Sequence, residues 1–211
     1  MTTNSDICTA ALRKIGVVSA SQPIQAEDLR DALAALGRML AAWQNHRYNL
    51  WTYAEATIPL TGAASYIMDP APVEVHDVRF RRNGLDMPMQ QITREEYNAL
   101  PQKASIGIPS SYFVNRQATG TTLTVWPVLA SGVGESLEVT YTRAIVTPLA
   151  GDAMDFPAQF EDAVVYGLAA RLADDYEVAA DRIIMRAEAE LDLALSFDRE
   201  GSVYFAGDEY R

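Results

Sequence analysis

At 211 residues, 49% of them apolar and 21% charged, the chain has the composition of an ordinary globular protein able to bury about two-thirds of its unfolded surface. A single cysteine excludes an internal disulfide framework, and no run approaches the roughly 18 consecutive apolar residues that suggest a membrane span. The net charge of −11 is uneven: residues 151–211 hold fifteen acidic against five basic residues, which excludes a phosphate-gripping surface over that third.

The opening, "MTTNSDICTAALRKIG", has neither the basic start nor the apolar run of a secretory leader, so a soluble protein made in a reducing cytoplasm is expected. Ile7, Ala11, Leu12 and Ile15 follow helical spacing. Thr3 and Asp6 form a capping-box pattern, and Gly16 is a stop. Cys8 sits inside that pattern and reads as a small buried hydrophobe rather than a reactive thiol. A longer helix follows in "AEDLRDALAALGRMLAAWQNHR", with Leu29, Leu33, Leu36, Leu40 and Trp43 as one apolar stripe. Glu27 and Asp28 in its first turn and Arg47 near its end complement the helix dipole.

From Leu50 the pattern changes to short β-like runs. "ATIPL" and "SYIM" flank the turn "TGAA"; "VHDVRF" and "LDMPM" flank "RRNG", in which Asn83-Gly84 is a strong tight-hairpin signal. "ITREEYNAL" is predicted as one short helix capped by Thr93, with Glu96 three residues on. A second hairpin pairs "SSYFV" with "TTLTVWPV" around the loop "NRQATGT", with Trp126 as an anchor and Pro127 ending the strand. In "SLEVTYTRAIV", Leu137, Val139 and Tyr141 alternate with Glu138, Thr140 and Thr142, the pattern of a half-buried strand.

Helices return at "DFPAQFEDAVVYGLAARLADDY", where Asp155 is the predicted cap and Phe160, Val164, Leu168 and Leu172 the buried face. A last helix is expected to turn Ile184, Ala187, Leu191 and Leu195 inward. The tail "FDREGSVYFAGDEYR" keeps no helical period. The expected fold is α+β: a bundle of N- and C-terminal helices (1–50 and 151–197), an inserted antiparallel β-rich domain (51–150) and an extended C-terminal tail (198–211).

Catalytic chemistry needs a nucleophile, a base or a metal cluster. The two histidines, His46 and His76, share no metal-ligand spacing, and no cysteine pair completes a zinc site. No Gly-x-Ser-x-Gly elbow occurs, and "SGVGES" lacks the Lys-Ser/Thr of a phosphate loop. The carboxylate pairs Glu95-Glu96, Asp174-Asp175 and Glu188/Glu190 could in principle serve a glycosidase, but such neighbours do not share a helix face. Trp43, Trp51, Tyr53, Tyr66, Tyr97, Tyr112, Phe113 and Trp126 could stack bases or sugars, yet "TTLTVWPV" lacks the interleaved cations of a nucleic-acid platform. No cofactor is expected.

Seven stretches in order, "ALRKIGVV", "LAAWQNHRYNLW", "IPLTGAASYIM", "ITREEYNAL", "GIPSSYFV", "LTVWPV" and "DFPAQFEDAVVYGLAARLADDY", give the chain a resemblance to the head-to-tail adaptors of tailed bacteriophages, the tail accessory or packaged-DNA stabilisation proteins. The resemblance implies a structural virion protein without an active site, in a homo-dodecameric ring beneath the portal protein. It implies that the helical part packs around the channel and the β-rich part faces outward or toward tail or nozzle proteins. Packaged double-stranded DNA would pass through without sequence-specific binding, and no membrane anchor is implied.

On this reading Asp174, Asp175 and Asp181 face the channel, since like charge discourages DNA adhesion. Val203, Tyr204, Phe205 and Tyr210 are expected to dock on portal or on a neighbouring subunit as aromatic anchors. Arg116, Gln117 and Thr119 form the expected tail-side loop. Two other readings stand beside it: a virion-associated cell-wall glycan hydrolase, which a cleft holding two carboxylates about 5–10 Å apart would favour, and a tail-tube or fibre-attachment protein without portal contact.

Overall fold

The computed structural model describes residues 2–19, 21–44, 50–130 and 134–197. The chain is mixed α and β, with helices towards both ends, and divides into two compact units. Met1–Trp51 with Ile145–Arg211 form one, and Thr52–Ala144 form the other.

The first unit is built on α1 (Asn4–Lys14), α2 (Ala26–Gln44), α4 (Glu161–Asp175) and α5 (Asp181–Phe197). The expected capping box is present: Asp6 N–H donates to Thr3 Oγ1 at 3.2 Å, and Thr3 N–H donates to Asp6 Oδ2 at 2.9 Å. The Thr3 hydroxyl, donating to Asp6 Oδ2 at 2.7 Å, and the Thr3 N–H hold the Asp6 carboxyl below its ordinary range. Gly16, at φ +77°, carries the chain away from the helix.

On α2 the buried line runs through Ala32, Ala35, Leu36, Met39 and Leu40, while Leu29, Leu33 and Trp43 are only half-buried. The apolar stripe is therefore rotated towards its small residues. Alanines at the contact let helices approach closely, so the larger leucines move to its margin. Near Gly167 of α4 there is little spare room, because a Cβ there would stand 3.2 Å from both Met39 Sδ and Trp43 Cζ2.

Helix α4 is the hub of the unit and packs against α1, α2 and α5. Val164, Leu168 and Leu172 are fully buried on it, as their spacing predicts. It begins six residues after the expected cap. Asp155 caps no helix; its Oδ2 accepts the Val146 N–H at 2.8 Å. A 3-10 turn at Ala158–Phe160 intervenes, and Phe160 lies 4.7 Å from the ring of Trp51, whose indole N–H donates to the Asp155 carbonyl. On α5, Ala187, Leu191 and Leu195 are half-buried, but Ile184 is 43% exposed, contrary to expectation. Ile183 packs inward in its place, and Ala194 is the fully covered contact.

The second unit holds two four-stranded sheets. One has the order β1 (Tyr53–Pro59), β8 (Glu135–Thr142), β3 (Glu74–Arg82), β4 (Leu85–Pro88); the other runs β2 (Ser65–Met68), β7 (Gly120–Trp126), β6 (Ser111–Gln117), β5 (Gln90–Gln91). All pairings are antiparallel except β5 with β6. Both sheets contribute to one core, with Val78, Phe80, Leu137 and Val139 from the first and Tyr66, Tyr112, Leu123 and Val125 from the second.

The runs "ATIPL" and "SYIM" that flank the "TGAA" turn do not pair with each other. β1 pairs with β8 and β2 with β7, so the turn between them moves the chain from one sheet to the other. The β3–β4 hairpin does form, with Asn83 and Gly84 at positive φ between the paired Arg82 and Leu85. Short helix α3 (Arg94–Ala99) carries the expected Thr93–Glu96 box, and Tyr97 stacks on Phe113 of β6 at 5.6 Å.

The β6–β7 hairpin is tighter than "NRQATGT" suggests. Arg116 and Gln117 are strand residues paired with Thr121 and Gly120, leaving Ala118-Thr119 as a two-residue loop. At the open end of the hairpin, Gly107 lets the chain pass the Pro127 ring, 3.3 Å from where a Cβ would sit. Leu137 and Val139 of β8 are buried as expected, but Glu138 on the opposite face is covered too. Its carboxylate accepts Thr57 Oγ1–H at 2.7 Å and Ser136 Oγ–H at 2.9 Å, with Arg81 at 3.3 Å.

Candidate functional site

Acidic residues from the start of α2 and the end of α4 meet in the helical unit. One open groove of about 410 Å³ is lined by Glu27, Asp28, Asp31, Arg38, Asp175 and Tyr176. A second, of about 590 Å³, shares Arg38 and Asp175 and adds Asp174, Arg171 and Ile184. Five carboxylates thus face two guanidinium groups. Tyr176 ties the helices together, its hydroxyl donating to Asp28 Oδ1 at 2.7 Å. Burial, that hydrogen bond and the nearby Asp28, Asp31 and Asp175 push the phenol up to about 12.

Of the three aspartates singled out in the sequence, the structure brings Asp174 and Asp175 into this cluster. Asp181 is exposed at the first position of α5 and lines neither groove. Arg116, Gln117 and Thr119 stand together, exposed, at the β6–β7 tip. Val203, Tyr204, Phe205 and Tyr210 lie outside the described residues, as do His46 and Arg47.

The residues weighed for catalysis have structural positions. Cys8 is fully buried and burial pushes its thiol up to about 12, which leaves it a packing residue. His76 sits at a β-bulge in β3, its Nε2 2.6 Å from Thr142 Oγ1 and its ring 4.7 Å from that of Tyr53. Glu96 closes a capping box and Glu190 pairs with Arg186 at 2.6 Å. Among the described residues, no group of three or more His, Cys, Asp or Glu could hold a metal ion.

Of the aromatics weighed for stacking, Trp43 lies over Gly167, Tyr97 stacks on Phe113 and Tyr112 is buried, whereas Tyr53 is exposed. Trp126 donates its indole N–H to the Gln102 carbonyl at 3.1 Å.

A comparison with protein families matches residues 2–204 to the model of the SU10 adaptor protein. The chain belongs to the SU10 adaptor protein family. The match runs over both units and brings the adaptor into a group of phage structural proteins, components of the virion. A comparison with curated proteins finds no match. Among the described residues of the adaptor, no helix is long and apolar enough to cross a membrane.

What sequence reasoning missed in the adaptor is the share that α2 takes in the acidic cluster. Glu27 and Asp28 read as dipole-complementing residues of a helix start, which they also are. Their position in one groove with Asp175, far away in the chain, follows from the α2–α4 packing that Tyr176 completes. The tyrosine, hydrophobic in body and polar at its tip, was the available signal, since such residues find a partner when covered.

Proposed function

We propose that the chain is one subunit of the connector ring that docks beneath the phage portal, extends its DNA channel, helps retain packaged DNA and gives the tail its platform. The observation that carries this reading is the family match over residues 2–204. The resemblance favours a ring of twelve copies assembled in the bacterial host cytoplasm.

Residues 1–50 and 151–197 serve the channel and the portal, and residues 51–150 serve the tail. Asp174, Asp175 and Asp181 face passing DNA, and the exposed acidic grooves around the first two support that placement, because repulsion between like charges keeps a polyanion from adhering. Val203, Tyr204, Phe205 and Tyr210 belong to the portal-facing or neighbour-facing contact, and Arg116, Gln117 and Thr119 to the tail side.

Imaging the neck of the purified virion after labelling the chain tests the assignment. Label in a ring at the head-to-tail vertex is expected. Label spread along the tail, or absent from the virion, would contradict it.

A further inference from the structure

Helix α5 separates two surfaces of opposite charge in the helical unit. Arg182, Arg186, Ala189 and Leu193 recur at spacings of four, three and four, so they share one exposed face of the helix. That face is on the side of α1: Lys14 of α1 and Tyr166 of α4 join Arg182, Arg186 and Ala189 around an open groove of about 650 Å³, with no carboxylate among its lining residues. Tyr166 holds two cations side by side. Lys14 Nζ donates to its hydroxyl at 3.0 Å and lies 4.6 Å from its ring centre, and the Arg186 guanidinium stands 5.8 Å from the same centre. Arg186 also pairs with Glu190 at 2.6 Å, which leaves guanidinium N–H groups to spare.

The other flank of α5 has the opposite sign. Ile184, Glu188 and Asp192, at spacings of four, form a second exposed face roughly a third of a turn from the first. This face is on the side of α2, where Ile184 shares its groove with Arg38 of α2 and with Asp174 and Asp175 of α4. No basic residue follows Arg186 in α5, so Glu188 and Asp192 have no cation of that helix beyond them.

Such flanks fit each other and not themselves. A two-fold contact through either one sets like charge against like, whereas copies ranked side by side in one direction set the cations of each against the carboxylates of the next. We infer that a second copy of this chain docks in this head-to-tail manner, with Lys14 and Arg186 of one copy against Glu188 and Asp192 of the next. Side-by-side helices of like direction bring residues of equal height together, and Glu188 stands only about 3 Å further along α5 than Arg186. Ile184, 43% exposed, gains cover from the aliphatic stem of the next copy's Arg182. Asp174, Asp175 and Asp181 lie where α4 gives way to α5, with Asp181 about 16 Å along the helix from Asp192, and they stay open to the channel. Closure of these contacts into a ring rests on the adaptor reading above; the contact between two copies does not.

Sedimentation velocity of the full chain, from micromolar to millimolar concentration at low salt, tests the contact. The parent chain should associate as concentration rises and dissociate as salt is added. Lys14→Glu with Arg186→Glu sets acid against acid across the contact, and Glu188→Lys with Asp192→Lys sets base against base. Each pair should weaken self-association about tenfold or more. An equal mixture of the two variants should recover it, because the altered flanks then meet with their signs exchanged and the unaltered flanks meet as in the parent. All four positions are exposed, and a variant that failed to fold would not restore the mixture. A parent chain that stays monomeric to millimolar concentration, association unmoved by both variants, or a mixture that recovers nothing would overturn the inference. The readout needs no portal, so its failure leaves the adaptor assignment standing.

Discussion

Tyr176, at the end of α4, donates a 2.7 Å hydrogen bond to the Asp28 carboxylate in the first turn of α2. This bond joins two helices through the acidic cluster and places the phenol where its own ionisation is opposed. The folded phenol titrates near 12 against an ordinary 10.0, so the folded state keeps its proton while the unfolded chain loses it. Stability from this group is full below pH 10 and is lost as pH rises towards 12. Urea midpoints measured at pH 8, 10 and 11.5 should fall over that window. Tyr176→Phe should lessen that fall, and at pH 8 should cost about 1 kcal/mol for the lost bond.

Reversing Asp174, Asp175 and Asp181 to lysine should leave the fold intact, since all three are exposed. If they face the channel, virions carrying the triple variant should assemble and then eject DNA more slowly, because the new cations hold phosphates. The slowing should shrink as salt is raised. Ejection kinetics equal to those of the parent virion would contradict the channel placement.

Gly84 isolates backbone strain from crowding. Its φ is +76° and an added Cβ would meet nothing within 4 Å. Gly84→Ala should therefore cost about 1–2 kcal/mol from the left-handed backbone alone. Gly84→Asn should recover part of that, since asparagine tolerates the conformation. Equal urea midpoints for all three proteins would show that the Asn83-Gly84 turn does not set the β3–β4 register.

Glu138 tests the polar face of the first sheet. It is 8% exposed and serves as acceptor for two hydroxyls, with Arg81 alongside. Glu138→Ala removes the acceptor shared by Thr57 and Ser136, and should destabilise the protein by about 1 kcal/mol. Thr57→Val removes one donor and should cost less. A neutral Glu138→Ala in thermal melting would mean that water replaces these bonds freely.

Local features were the most legible in the sequence. The Thr3–Asp6 and Thr93–Glu96 boxes and the Asn83-Gly84 turn each close within four residues, so neighbours in sequence decide them. Features set by distant partners were not. Asp155 has the chemistry of a helix cap, but the Val146 N–H claims it, and the helix starts later. "ATIPL" and "SYIM" show as β-like runs about a turn, but their partners, β8 and β7, lie far along the chain. Ile184 and Ile183 are adjacent apolar residues on a helix packed mainly against α4, and only that packing selects Ile183.

The candidate site was half legible for the same reason. Asp174 and Asp175 announce themselves in an acidic C-terminal third, whereas Glu27, Asp28 and Asp31 join them only through the α2–α4 contact. Glu138 was assigned to solvent by the alternation of β8. A carboxylate can be covered on a polar sheet face when cross-strand hydroxyls and an arginine satisfy it, and periodicity does not register those partners.

Mixing the purified chain with the portal protein of its own phage and imaging the product by cryo-electron microscopy tests the central claim most directly. A closed ring of this chain seated on one end of the portal, coaxial with its channel, is the predicted result. Portal particles that stay bare at saturating concentrations of the folded chain would contradict it.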